Sequence, residues 1–247
     1  MGTLGSRADN SVKNKYTAEH LFALKQSLEL FDTYQKQIAS CHEQIEQHLK
    51  SLATKADSAE LQAARKVKKK RRNQPEFSIR EQAFRISGVD LTQIHGIDET
   101  TALSLIAEIG VDMNAWKTEK HFSSWLALCP NHKISGGKIL RRSTRKSANR
   151  AREILQLCAQ SLLNSHSALG AYCRRMCGRL GKPKGIVAAA HKLAVLVYRM
   201  LKFGHHYTDI GQERYEQQYQ QRLLKRLARK AHELGFQLVP SPENQVP

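Results

Sequence analysis

Acidic side chains are scarce in this sequence: 22 Asp and Glu stand against 40 Lys and Arg over 247 residues, a formal charge of +18. An excess of that sign attracts polyanions, of which nucleic acid is the commonest. Long apolar runs are missing too. No stretch approaches the roughly 18 residues of a membrane-crossing helix, and residues 1–10 lack the apolar core of a secretory signal. Residues 1–6 fit the loose N-myristoylation pattern, which fixes so few positions that chance accounts for it. Aromatics reach only 6%, too few for a membrane-surface helix with rings opposite its basic face. The cysteines, Cys41, Cys129, Cys158, Cys173 and Cys177, are odd in number and scattered. They build neither a disulfide framework nor a CxxC zinc pair. They are expected as reduced core thiols, which suits the cytoplasm. No Ser-His-Asp order, paired carboxylate or phosphate-binding loop stands out, and the adjacent His205-His206 is a poor metal pair. The remainder, 40% apolar and 25% charged, is the composition of a globular chain with a real core.

The charge is uneven. Residues 1–64 carry 7 basic and 8 acidic groups, whereas 65–247 carry 33 and 14, and 133–184 carry 13 bases against Glu153 alone. Residues 1–16 are polar and expected to be disordered. From 21 to 59 a heptad pattern runs through Leu21/Leu24, Leu28/Phe31, Gln35/Ile38, His42/Ile45, Leu49/Leu52 and Ala56/Ala59. That spacing predicts a coiled-coil helix and self-association, with Gln35 and His42 fixing register. Residues 65–72 hold seven cations in eight positions and Pro75 follows, which places a domain boundary near 73.

Beyond it the chain reads as helices joined by short turns, with no period-2 strand. Residues 88–110 resemble a helix-hairpin-helix: Gly96 permits the turn, Asp98 caps the second helix, and Gly110 ends it. Asp98 and Glu99 occupy the helix end that would otherwise receive a phosphate. A helix is expected over 118–129, stopped by Pro130, and then a loop from Asn131 to Lys138. Further helices carry Ala151, Ile154, Leu155, Cys158 and Leu162 on one face, then Leu169, Tyr172, Cys173, Met176 and Leu180, with Arg174, Arg175 and Arg179 opposite. Residues 181–185 form a basic turn, 186–203 a buried central helix, and 211–234 a basic amphipathic one.

Chemistry is suggested at one place. Ser135 precedes Gly136 and Gly137, where backbone and substrate can approach closely. Lys133, Lys138, Arg141 and Arg142 flank it and could stabilise charge on a phosphoryl group attacked by the Ser135 hydroxyl. An ordinary Ser-Gly-Gly turn would read the same way.

Residues 76–240 resemble the C-terminal half of the transposases of insertion sequences 110, 116 and 902, relatives of Piv-type invertases. The matching pieces are Asp90-Leu91-Thr92-Gln93-Ile94-His95-Gly96-Ile97, Ala107-Glu108-Ile109-Gly110, Cys129-Pro130-Asn131 and Ile134-Ser135-Gly136-Gly137-Lys138. They continue at 167–172, 190–194 and 198–202. The heptads match the helices that precede this half. Lys146-Ser147-Ala148-Asn149 departs from a family segment that often holds Gly. The resemblance implies DNA transposition, with strands cut and rejoined through a phosphoserine link at Ser135, guided in characterised relatives by an element-encoded RNA. It further implies a second half-site in an N-terminal domain whose acidic residues bind Mg²⁺. That domain is expected to be absent from this chain, which is therefore expected to hold no metal or cofactor itself.

The expected fold is all-α: a disordered start (1–16), a coiled coil ending in the basic run (17–72), a helical transposase domain (73–240) and a tail (241–247). Ser135 is the expected nucleophile. Lys133, Gly136, Gly137, Lys138, Arg141, Arg142, Arg145, Lys146 and Arg150 are the expected DNA contacts. Expected partners are DNA, a guide RNA and further copies of the chain, with no membrane, in a nucleoid-associated cytoplasmic setting. The alternatives are a non-catalytic DNA- or RNA-binding fragment and a coiled-coil interaction protein with an incidental basic face.

Overall fold

The computed structural model describes residues 17–57, 60–61, 74–145 and 147–239, with backbone alone at 132, 133, 139 and 141–143. The expected disordered start, the basic run 65–72, the boundary near 73, Ala59, Lys146 and the tail 241–247 lie outside the described residues.

Among these residues the chain forms two compact units. The first is built on helix α1 (Ala18–Ser51), 34 residues without Pro or Gly. Its heptad residues Leu24 and Leu28 are 60% and 58% exposed. The helix stops before the heptads do: Leu52 turns to an extended conformation and its N–H donates to Leu49 O. Ala56, the described member of the last heptad pair, therefore lies outside the helix. A physical reason lies in the second unit, where the N–H groups of Lys55 and Ala56 both donate to Arg85 O (2.8 and 3.3 Å) instead of continuing a helix.

The second unit is helical, as the composition and periodicity imply. Helix α2 (Ile79–Ser87) packs on α3 (Glu99–Ile109). Between them Asp90 accepts from Thr92 N and heads a single 3-10 turn, Leu91–Gln93. One turn, not a longer helix, thus precedes Gly96. Asp98 caps α3 by accepting from Thr101 N, and Gly110 ends it, both as expected. Arg80 and Asp90 form an ion pair at 2.5 Å with side chains only 11% and 8% exposed. Helix α4 (Glu119–Trp125) is shorter than the expected 118–129. Ala127 adopts φ 53°, reversing the chain so that Leu126 and Leu128 are both buried.

The expectation of no strand is overturned at 130–144. Strands β1 (Pro130–Ser135) and β2 (Lys138–Thr144) pair antiparallel, and residues expected as a loop are one of these strands and its turn. Strands of six and seven residues, polar except for Ile134, Ile139 and Leu140, leave too little alternation for the pattern to register.

Helices α5 (Arg150–Ser161), α6 (Ala168–Leu180) and α7 (Lys182–Phe203) form the packed body, with α7 against α4, α5 and α6. Helix α7 begins four residues before the expected 186, because Pro183 sits in its first turn, where its missing N–H costs nothing. Gly185 lets α7 cross α6 closely: a Cβ there would lie 2.5 Å from Cys177 backbone atoms. Helix α8 (Gln212–Glu233) leans on α6. All five cysteines are unpaired, but Cys41 is exposed and Cys129 and Cys177 are half-buried, so only Cys158 and Cys173 are the expected core thiols. Burial pushes both of those thiols up to about 12. No helix among the described residues is long and apolar enough to cross a membrane.

Candidate nucleic-acid interface

Strands β1 and β2 meet through a two-residue turn. Gly136 and Gly137 have φ of 53° and 73°, the pair of positive values that a type I′ hairpin needs and that side chains resist. The register sets Ser135 opposite Lys138, Lys133 opposite Arg141 and His132 opposite Arg142, with an irregularity that leaves Leu140 as the extra residue. Residues 130–145 contain Lys133, Lys138, Arg141, Arg142 and Arg145 and no acid. Ser135, Gly136, Gly137 and Lys138 are exposed. The strands pair with each other and make no substantial packing with any helix. The result is a cation-rich β-arm with a serine at its tip.

The arm is fixed at its root. Arg145 Nη2 donates to Ser124 O at 2.7 Å, and Arg152 Nη1 donates to Arg145 O at 2.9 Å. Between that root and α5 lies an open cleft of about 330 Å³, lined by Thr144, Arg145, Ser147, Arg152, Glu153 and Gln156. Arg152 Nε is buried there without a hydrogen-bond partner. Arg152 was not among the expected contacts; its place in the first turn of α5, one side of the cleft, emerges only when the strands fold back.

The structure thus brings Ser135, Gly136, Gly137 and Lys138 together at one tip and carries Lys133, Arg141 and Arg142 along the same strands. Arg145 sits at the root, with part of its guanidinium engaged by Ser124. Arg150 pairs with Glu108 at 3.2 Å while remaining 79% exposed. Some of the basic field counted over 133–184 is spent inside the protein. Arg174 donates to the carbonyls of Leu163 and Ser165 and to Gln212 Oε1. Arg175 lies over the Tyr219 ring at 3.5 Å. At α3 the helix start is taken by Asp98, whose carboxylate accepts from Thr101 N and Thr100 Oγ1, so no phosphate seat opens there. No group of three or more His, Cys, Asp or Glu fit to hold a metal exists among the described residues, His205 and His206 included.

Fold and site together define a helical scaffold that presents one exposed, basic β-arm. Residues 90–174 match the family model described as Transposase IS116/IS110/IS902 family. The match takes in α3, α4, the whole arm, α5 and the first half of α6, roughly a third of the chain. It supports the transposase resemblance drawn from the motifs over that stretch; the pieces at 190–194 and 198–202 lie beyond it. The match supports DNA transposition in general as the function class of the stretch it covers, with DNA as the implied partner. A search of curated proteins found no match.

Proposed function

We propose that this chain carries the strand-joining chemistry of a transposase, with Ser135 as the nucleophile and the β-arm as the element that grips DNA. One observation carries the reading: within the matched stretch, the serine stands at the exposed tip of an arm that bears five cations and no acid. In the step proposed, Ser135 Oγ attacks a backbone phosphorus and one P–O ester bond breaks. The freed strand hydroxyl takes a proton, and a phosphoserine link holds the other end. Attack by the hydroxyl of a second strand reverses the exchange, restoring a diester and releasing Ser135. Lys138, opposite Ser135, and the cations of both strands offset the charge that develops on the phosphoryl oxygens. The glycine turn lets the backbone approach the phosphate.

The Mg²⁺ that the resemblance implies does not fit the described residues: they hold no acidic trio, and Glu119 and Glu153 are the only acids between 113 and 208. No step here runs through a metal. The same fact favours a second reading, binding without chemistry by this chain alone. Self-association through the exposed heptad face of α1 and binding of a guide RNA belong to the first reading, and mass in solution with and without RNA checks both.

Trapping on labelled DNA in denaturing gels separates the readings. This chain alone is expected to bind DNA with steep salt dependence and to form no adduct. With an acidic metal-binding transposase domain supplied, an adduct is expected that Ser135→Ala abolishes while binding stays within a few-fold. An adduct that survives Ser135→Ala overturns the nucleophile, and no adduct under any condition leaves the binding-only reading standing.

A further inference from the structure

Both tryptophans of the chain, Trp116 and Trp125, stand in one run of rings on the scaffold. Trp116 lies 4.9 Å from Trp125 and 5.1 Å from Phe122; Phe122 lies 5.7 Å from Tyr198, Tyr198 6.3 Å from Phe203, and Phe203 5.5 Å from His205. The middle of the run is fixed in the core, with Phe122 and Tyr198 at 0% and 1% exposure. Its ends are not covered: Trp125 is 40% and Phe203 57% exposed, and His205 is exposed beside it. In a chain so poor in aromatics, the open rings at the two ends of this run are braced by the buried rings between them, so little ordering entropy remains to be lost when they are covered.

Cations frame it. Lys192, Arg199 and Phe203 fall at i, i+7 and i+11 on α7, one helix face. Lys202 Nζ donates to Trp116 O at 3.0 Å and lies 5.4 Å from the Tyr198 ring. From 191 to 206 there is no acid, and nearby Glu119 is taken by Arg199 through two bonds of 2.5 and 2.9 Å. That pairing holds the Glu119 carboxyl below its usual range. An array of open rings among cations matches the chemistry of a single nucleic-acid strand: every base has a face to stack, and every linkage has a phosphate to pair. A duplex fits poorly, since its bases are already stacked on one another. A lipid surface would want a broader apolar face than two rings provide.

We propose that Phe203, His205 and Trp125, with Lys192 and Lys202, form a stacking platform for unpaired bases of DNA or RNA, built from residues other than those of the β-arm. The proposal rests on the nucleic-acid reading above for its class of ligand, but on none of the arm's residues. Because Trp116 and Trp125 are the only tryptophans, the intrinsic emission of the full chain reports on this site directly. The chain is titrated with oligothymidylate, oligouridylate, a duplex of equal length, and anionic phosphatidylserine vesicles, while anisotropy follows binding of the labelled nucleic acids.

Saturable quenching by the single strands and little by the duplex is expected. Phe203→Leu, which keeps apolar bulk and helix propensity but removes the ring, is expected to weaken single-strand binding about 5- to 150-fold, the stacking contribution of one base. Duplex binding should be unchanged, and Phe203→Tyr should restore the single-strand value. Equal affinity for the two homopolymers assigns stacking alone; preference for oligouridylate assigns RNA as the source. Single-strand binding with unchanged emission, or with Phe203→Leu equal to wild type, overturns the platform and leaves the arm untouched, as does quenching by vesicles alone. Loss of duplex binding on replacing Arg141 and Arg142 tests the arm and leaves the platform untouched.

Discussion

On α7 the side chains of Leu193, Ala194 and Val197 are wholly enclosed, whereas on the β-arm Ile134 and Leu140 keep 63% and 70% of their surface exposed. Both regions belong to the same compact unit. The helix owes its place to burial against three neighbours, so its residues are constrained by volume. The arm owes its shape to a ladder, two glycines and a pinned root, and an isolated two-stranded hairpin is marginal in water. It follows that substitutions in the scaffold should remove stability and function together, while substitutions on the arm should remove function alone.

The largest effect is expected at the buried ion pair. Asp90→Ala leaves the Arg80 guanidinium enclosed without its carboxylate and removes the cap of the 91–93 turn. A loss of about 3–5 kcal/mol is expected in urea unfolding. The pair also gives stability a pH dependence. Burial by itself would raise the Asp90 pKa, but hydrogen bonds from Arg80, Thr92 and Gln93 outweigh it and hold the carboxyl below the usual 3.8. A carboxyl depressed in the folded state stabilises fully above its unfolded value and loses that contribution as pH falls through the folded one. Wild type should therefore lose stability more steeply than Asp90→Asn below about pH 4, and equal slopes would show that the pair does not set the acid limb.

Next comes the core of α7. Leu193→Ala is expected to cost about 2–5 kcal/mol, because its neighbours on α4, α5 and α6 cannot collapse fully into the space. DNA binding, and adduct formation once the metal-binding domain is supplied, should fall in step with the folded fraction. Activity lost ahead of the fold would place α7 in the chemistry and break the contrast drawn here.

Gly137→Ala sharpens it from the other side. Its φ of 73° strains any residue with a Cβ by about 1–2 kcal/mol, yet nothing lies within 4 Å of the added carbon. The strain should loosen the arm locally. With the metal-binding domain supplied, adduct yield is expected to fall about 5- to 30-fold, since each 1.4 kcal/mol of lost alignment is a factor of ten, while the thermal midpoint stays put. Gly137→Asn, which tolerates that conformation better, should recover part of the yield.

How much of this was legible beforehand differs between the same two regions. The scaffold is readable because helical periodicity repeats: of the faces read from spacing, Ala151, Leu155, Cys158, Leu162, Leu169, Cys173 and Met176 are buried, whereas Ile154 and Tyr172 are half-buried and Leu180, at the helix end, is exposed. The caps Asp98 and Gly110 were readable because capping is local chemistry. The arm was not. Its strands are short and polar, so Ser135-Gly136-Gly137 reads as a turn while the ladder on either side gives no signal. The end of α1 was missed because it is set by Arg85 O, about 30 residues away in sequence, which recruits the backbone of Lys55. The exposed rings were missed because Trp125 in a helix of Phe122 and Leu126 looks like core by composition, and only the fold leaves it open.

The smallest effect is the most exposed to refutation. Ile134→Ser and Leu140→Ser replace large apolar side chains, and the usual expectation for such a change in a core is a loss of several kcal/mol. Here both side chains are already mostly in water, so the substitution returns little surface to solvent and opens no cavity. Leu140 is moreover the residue that the ladder leaves over, with no cross-strand partner to miss it. The thermal midpoint of each variant is therefore expected to match wild type to within about 0.5 kcal/mol of stability, the range of surface changes. A loss of 2 kcal/mol or so would mean that the arm is covered in solution. If that loss grew with protein concentration, the cover would be a second copy of the chain; if it did not, the arm would fold against its own scaffold, and the division of labour between arm and body would have to be redrawn.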